Sequence, residues 1–267
     1  MKTISLKSIL LFLSFQLIVT ISSAQVTVAG STGANGTYTR LGLAFTAING
    51  TAQTANNIVI TISSNTTETA AATLNGGAWT TLKIYPTVTG ITISGNLSTP
   101  LIDLNGADNV TIDGRVNSTG TTKDLIITNT STSATAGTST IRLINTAENN
   151  VVKYCIIKGA ETNTSSGIIL FSTATTGNGN DGNTINNNDI SSDAAGRVRT
   201  AIYSAGSTSY ENSGNTISNN DIFDFWSAGA SSYAIHLVSN TTDFTISGNS
   251  FYETTSLYLQ VHIFIRS

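Results

Sequence analysis

Asn183-Thr-Ile-Asn-Asn-Asn-Asp-Ile190 returns almost unchanged as Asn215-Thr-Ile-Ser-Asn-Asn-Asp-Ile222. It returns again, more loosely, as Phe244-Thr-Ile-Ser-Gly-Asn-Ser-Phe251. A repeat at this period, made of short β segments rather than helices, is a ribbon coiled and stacked on itself.

Working outward, the β-branched strings sort into three families. The second family lies at residues 81–85, 110–113, 151–153, 184–186, 216–218 and 245–247. It is centred on Ile84, Ile112, Val152, Ile185, Ile217 and Ile246. The first family lies at 58–62, 101–105, 140–144, 167–171, 201–204 and 234–238, centred on Ile60, Ile102, Ile141, Ile168, Ile202 and Ile235. A shorter third family trails each second strand, at 91–94, 125–128, 156–158, 190, 222–223 and 251–252. Three strands per turn of roughly 33 residues give about six coils. Residues 26–56 form an N-terminal cap segment, with Thr39 as N-cap of a short helix that places Leu41, Phe45 and Ile48 on one face. A stacked β coil must hide its first open edge, and such a helix would do so.

The first 24 residues read as an export signal. Lys2 and Lys7 precede an apolar stretch from Ile9 to Ile21, and Ser22-Ser23-Ala24 supplies small residues for cleavage. The expected domains are therefore a signal peptide at 1–24, the cap at 25–56 and the coil at 57–267. No later run is apolar enough to span a bilayer as a helix. Removing the signal leaves 10 basic against 15 acidic side chains, a formal charge of −5. That balance disfavours nucleic acid and anionic membrane as partners. Charged residues make up only 10% of the chain, a composition that also suits disorder. Alternation such as Ile58-Val-Ile-Thr-Ile62 argues for strands instead. Cys155 is the one cysteine, so neither an internal disulfide nor a Cys-based metal cluster can form.

The Asn-Thr-Ile-x-Asn-Asn-Asp-Ile units make the chain resemble the right-handed parallel β-helix of the pectate-lyase-like superfamily, over about residues 57–255. In that fold an Asn at the bend between second and third strands stacks on the Asn of the next coil. Asn188, Asn220 and Asn249 match that place, and Cys155 takes it one coil earlier, ending the ladder. The rival reading makes these residues exposed turn formers. Tyr38-Thr-Arg-Leu-Gly-Leu-Ala-Phe-Thr-Ala-Ile-Asn49 and Pro100-Leu-Ile-Asp-Leu-Asn-Gly-Ala-Asp-Asn-Val-Thr-Ile-Asp-Gly-Arg115 look like the opening of large β-helix surface proteins exported by Bacteroidetes. This resemblance implies a secreted or outer-surface location. The closing residues 257–267 alternate as a strand does, without a closing helix, so a C-terminal truncation is expected.

Alternation also assigns outward side chains. Asp103, Arg142, Ile169, Tyr203 and His236 should form one column on the first sheet. Asp113, Lys153, Asn186, Ser218 and Ser247 should form another on the second. Asp103 beside Arg142, and Asp113 beside Lys153, read as rung-to-rung ion pairs. The candidate ligand site is Asp103, Arg142, Tyr203 and His236: rings to stack on sugar faces, and charged groups to bond hydroxyls. The implied partner is an extracellular glycan or another cell-surface component. The resemblance also offers an enzymatic alternative, a polysaccharide lyase or glycoside hydrolase acting on an acidic polysaccharide. Asp103, Asp113, Arg115 and Arg142 are its only suitable cluster, without the six or more oxygens a hard cation wants. No catalytic residue is assigned, and no cofactor or metal is expected. Calcium has one possible foothold: Gly177-Asn-Gly-Asn-Asp-Gly-Asn-Thr-Ile185 resembles a single RTX-type nonapeptide, although a wide connecting loop explains it as well.

Overall fold

The computed structural model describes residues 25–229 and 231–255. The proposed signal peptide and the tail at 257–267 lie outside the described residues. The described chain is a parallel β-helix of about six turns whose regular elements are nearly all strands, with one short α-helix near its start.

Three sheets run the length of the coil. The second sheet carries the strands Asn57–Ile62, Thr81–Pro86, Val110–Asp113, Val151–Lys153, Thr184–Asn186, Thr216–Ser218 and Thr245–Ser247, each parallel to the next. Its register aligns Ile60, Ile84, Ile112, Val152, Ile185, Ile217 and Ile246 as one column. The third sheet begins at Thr66–Glu68 and ends at Ser250–Tyr252. The first sheet begins at Ala72–Asn75 and ends at Tyr233–Leu237. Inward isoleucines from all three sheets meet on the axis with almost no exposure. Each such side chain is worth about 1.5–3 kcal/mol of burial.

Residues 58–62 were expected to open the first sheet. They open the second instead, pairing with Thr81–Pro86, and Ala72–Asn75 takes the first-sheet place. Alternation marks a strand but not its sheet. Only the path of the following loop decides that.

The bends explain the recurring Asn-Asn and Gly-Asn pairs. Asn149, Gly182 and Gly214 turn the chain into second-sheet strands with positive φ, and Asn187, Asn219 and Gly248 turn it out of them. Asn and Gly visit this left-handed region at low cost. The next residue is in each case an Asn whose amide faces its counterpart in the neighbouring coil, so one residue bends and the following one bonds.

The N-terminal end is closed by Val26–Ala29, which pairs antiparallel with both Gly36–Tyr38 and Asn57–Ile62. The helix Leu41–Asn49 buries Leu41, Ala44, Phe45 and Ile48 against the first coil. Thr39 does not cap it. Arg40 is the N-cap residue and makes no side-chain cap bond. The capping acceptor is Glu68, whose carboxylate receives Leu41 N at 2.8 Å and Gly42 N at 3.0 Å. A carboxylate at a helix N-terminus is favoured by the dipole. Burial still pushes Glu68 up, against those two bonds and the charge of Arg40.

Candidate functional site

The first sheet sets the candidate residues side by side. Register places Thr73, Asp103, Arg142, Leu170, Tyr203 and His236 on adjacent strands. Leu170, not Ile169, therefore fills the middle of the column. Ile169 pairs with Ile141 and Ile202 and lies fully inside. The run Ile168-Ile169-Leu170-Phe171 is apolar throughout, so alternation could not choose its face. A slip of one residue exchanges the two faces.

Arg142 grips Asp103 with both ends of its fork, Nε to Oδ1 at 2.8 Å and Nη2 to Oδ2 at 2.9 Å. Such bidentate pairs are short and directional. Both carboxylate oxygens are thereby engaged. Tyr203 meets His236 edge to face, with ring centroids 5.4 Å apart, and Tyr233 stacks on His236 at 4.0 Å. Asp103 is 5% exposed, Leu170 3% and Tyr203 7%. Strands about 4.8 Å apart let outward side chains cover one another. Pointing outward is thus different from being open to solvent. Within this column and its ring cluster, Thr73, Arg142, His236 and Tyr233 retain partial exposure.

On the second sheet Asp113, Lys153, Asn186, Ser218 and Ser247 share one column. Lys153 Nζ stands 3.5 Å from Asp113, but the closer partner is Arg115, with Nε at 2.8 Å and Nη2 at 2.7 Å. Burial pushes the Asp113 carboxyl up, yet the Arg115 bonds and the two positive charges outweigh it and hold the group below the usual carboxylate range. Arg115 also lies over the Tyr154 ring, 4.4 Å from its centre.

The amide ladder at the bend after the second sheet is continuous. Asn188 Nδ2 donates to Asn220 Oδ1 at 3.0 Å, and Asn220 Nδ2 donates to Asn249 Oδ1 at 2.9 Å. Cys155 stands at its end, donating its backbone N–H to Asn188 Oδ1 at 2.9 Å. A second ladder, not foreseen, runs through Asn150, Asn183 and Asn215 at the bend before the second sheet, with links of 3.0 Å and 3.0 Å. Its signal was present, because Asn183 and Asn215 head the repeated phrase. Asn180 and Asn212 add a further rung at 2.8 Å.

Two side-chain acceptors of the glycine-rich loop at 177–185 are committed within the coil. Asn180 Oδ1 accepts Ala147 N at 3.0 Å, and Asp181 Oδ1 accepts Ser213 N at 2.8 Å. No group of three or more His, Cys, Asp or Glu residues among the described residues is placed to hold a metal ion. Glu161 gave no sequence signal. It is 2% exposed, its Oε1 has no hydrogen-bond partner, and burial pushes its carboxyl up to about 8, against the Asn163 N–H and the charge of Arg199.

On the third sheet Lys123 bonds Asp189 and stands 3.8 Å from Asp221, while Phe223 and Tyr252 stack with centroids 5.0 Å apart.

These features define a parallel β-solenoid in which the Arg142–Asp103 pair and the asparagine rows bond one coil to the next. No family model, no curated protein and no solved structure matches this chain.

Proposed function

We propose that this chain is an exported β-helix module of the cell surface, structural or adhesive in role, that binds glycan on the outside of its coils. Its finer kinship would be with the pectate-lyase-like superfold and the exported surface proteins of Bacteroidetes, on the sequence resemblances given above. It would be secreted or held at the outer cell surface, with an extracellular glycan or cell-surface component as partner.

The observation that carries the reading is the ring cluster of Tyr203, His236 and Tyr233, on the same first-sheet face as the Arg142–Asp103 pair and separated from it by the Leu170 strand. Rings fixed by their neighbours offer an apolar face at little entropic cost, and the guanidinium edge offers donors to hydroxyls. The enzymatic alternative needs carboxylates free to move protons or bind an ion. Asp103 and Asp113, the two the sequence offered, each give both oxygens to an arginine.

A glycan array tests the reading. The wild-type chain should retain one glycan class, and His236→Ala with Tyr233→Ala should weaken retention while thermal unfolding is preserved. Unchanged retention removes the ring cluster. Release of unsaturated or reducing ends from uronate polymers would favour the enzyme instead.

A further inference from the structure

We infer that a cleft at the N-terminal end of the coil, remote in sequence from the ring cluster, is a binding site for the uncharged end of a glycan. The inference rests on the glycan-binding reading and assigns it a second, concave site.

The cleft has a volume of about 430 Å³, between the end of the cap helix with residues 50–54 and the loop at 75–79. That volume falls within the roughly 300–1,000 Å³ typical of small-molecule sites. None of its lining residues is charged. The wall mixes small apolar surface from Ala52 and Ala78, backed by the buried Ile48 and Trp79, with amides and hydroxyls from Asn49, Asn75 and Thr54. A pyranose has the same mixture, apolar C–H faces edged by hydroxyls. An ion would lose its hydration here without a countercharge, which is costly.

The wall is fixed before any ligand arrives. Gln53 is buried, accepts Thr32 N at 2.9 Å and donates to Thr32 O, Ile48 O and Thr51 O at 3.0, 3.3 and 3.0 Å. Trp79 Nε1 donates to Asp108 O at 2.6 Å, which pins the indole. A Cβ at Gly77 would overlap the Trp79 ring, so only glycine lets this loop lie against the indole. Asn49 holds the two sides together, accepting Asn75 N at 3.0 Å and donating to Thr73 O at 2.9 Å. Groups held this way lose little freedom on binding.

The cleft also receives the open end of a polarised amide row. Asn145 Nδ2 donates to Asn105 Oδ1 at 2.6 Å, and Asn105 Nδ2 donates to Asn75 Oδ1 at 2.8 Å. Asn75 is last in the row and lines the cleft, and its own Nδ2 donates to no acceptor among the described residues. Each amide polarises the next. Asn75 Nδ2 is thus a donor set for a ligand oxygen.

The experiment titrates the full chain with neutral disaccharides built from glucose, galactose, mannose or N-acetylglucosamine, and with digalacturonate as the charged counterpart. Saturation-transfer NMR and intrinsic fluorescence read binding. At least one neutral disaccharide should bind, and digalacturonate at the same concentration should not. Ala78→Trp, which fills the cleft, and Asn75→Asp, which adds a charge, should each weaken binding by about tenfold or more. Val88→Ala, at an exposed position outside the cleft lining, should leave it unchanged. Ala52→Trp on the opposite wall serves if Ala78→Trp unfolds. If the chain holds glycans on an array but the cleft variants bind as wild type, the cleft is wrong and the surface reading stands. If the disaccharide signal follows His236→Ala, the ring cluster is the site. If no saccharide binds in either format, both readings fall. Preferred binding of digalacturonate would also overturn the inference.

Discussion

Asn188 and Asn220, 32 positions apart in the chain, share a hydrogen bond of 3.0 Å between their side-chain amides. Asn220 Oδ1 also accepts the Asn188 backbone N–H at 2.9 Å, and Asn220 Nδ2 also donates to Ile185 O at 2.9 Å. Both residues are essentially buried. The pair joins adjacent coils by side chain and backbone together at a bend where the strand ladder is interrupted.

Asn220→Leu should therefore be among the more damaging single changes in this chain. It strands Asn188 N–H, one of the two Asn188 amide hydrogens and Ile185 O, while Asn249 Oδ1 keeps the backbone N–H of residue 220. Each orphaned buried group costs about 1–3 kcal/mol. We expect a loss of at least about 3 kcal/mol, or a fall in melting temperature on the order of 6–12 °C for a chain of this size. Asn105→Ala, in the exposed row, should cost under about 1 kcal/mol. Thermal unfolding followed by circular dichroism checks both, and equal effects would remove the special role of the buried row.

The Arg142–Asp103 pair should be strongly asymmetric under mutation. Arg142→Met leaves a nearly buried carboxylate without its fork, a loss of about 3 kcal/mol. The double change Arg142→Met with Asp103→Leu removes both charges and should recover most of that loss. A double-mutant cycle in urea measures this. Additive losses would mean that the pair is solvated and does little.

Glu161 should make the protein less stable as pH rises. Its folded-state pKa, about 8, lies above the ordinary value of 4.5, so the folded chain holds a proton that the unfolded chain releases. The resulting stability is complete below about 4.5, declines as pH rises, and is gone above about 8. Glu161→Gln should flatten the melting temperature between pH 5 and pH 9. A wild-type profile that is flat or rises across that window, once other groups are allowed for by the Gln variant, contradicts the assignment.

Cys155 should resist thiol reagents in the native state. Its side chain is fully buried, and burial together with nearby Asp113 pushes the thiol well up. Only thiolate reacts. Labelling with a chromogenic disulfide at pH 8 should be negligible until denaturant is added, then complete. Rapid native labelling would place the residue at the surface.

Much of the coil can be read from the chain because its code is local and repeated. Ile185, Ile217 and Ile246 share a phrase, so their stacking follows once the phrase is recognised. The bend code is equally local, since Asn187-Asn188 and Gly248-Asn249 each put a residue tolerant of positive φ before a ladder amide. Where the phrase blurs, the reading fails. Alternation alone assigns residues 58–62 to the first sheet although they pair in the second, and it places Ile169 where the register puts Leu170.

The amino-acid sequence by itself determined that the chain coils, about how many turns it makes and that Asn188, Asn220 and Asn249 face one another. Periodicity and backbone permissiveness are properties of neighbouring residues. Tertiary structure alone decided which outward side chains meet solvent, that Glu68 caps the helix 27 residues before it, and that an uncharged cleft forms beside Trp79. Solvent access and concavity depend on what the adjacent coil places about 4.8 Å away, and no single stretch of chain contains that information.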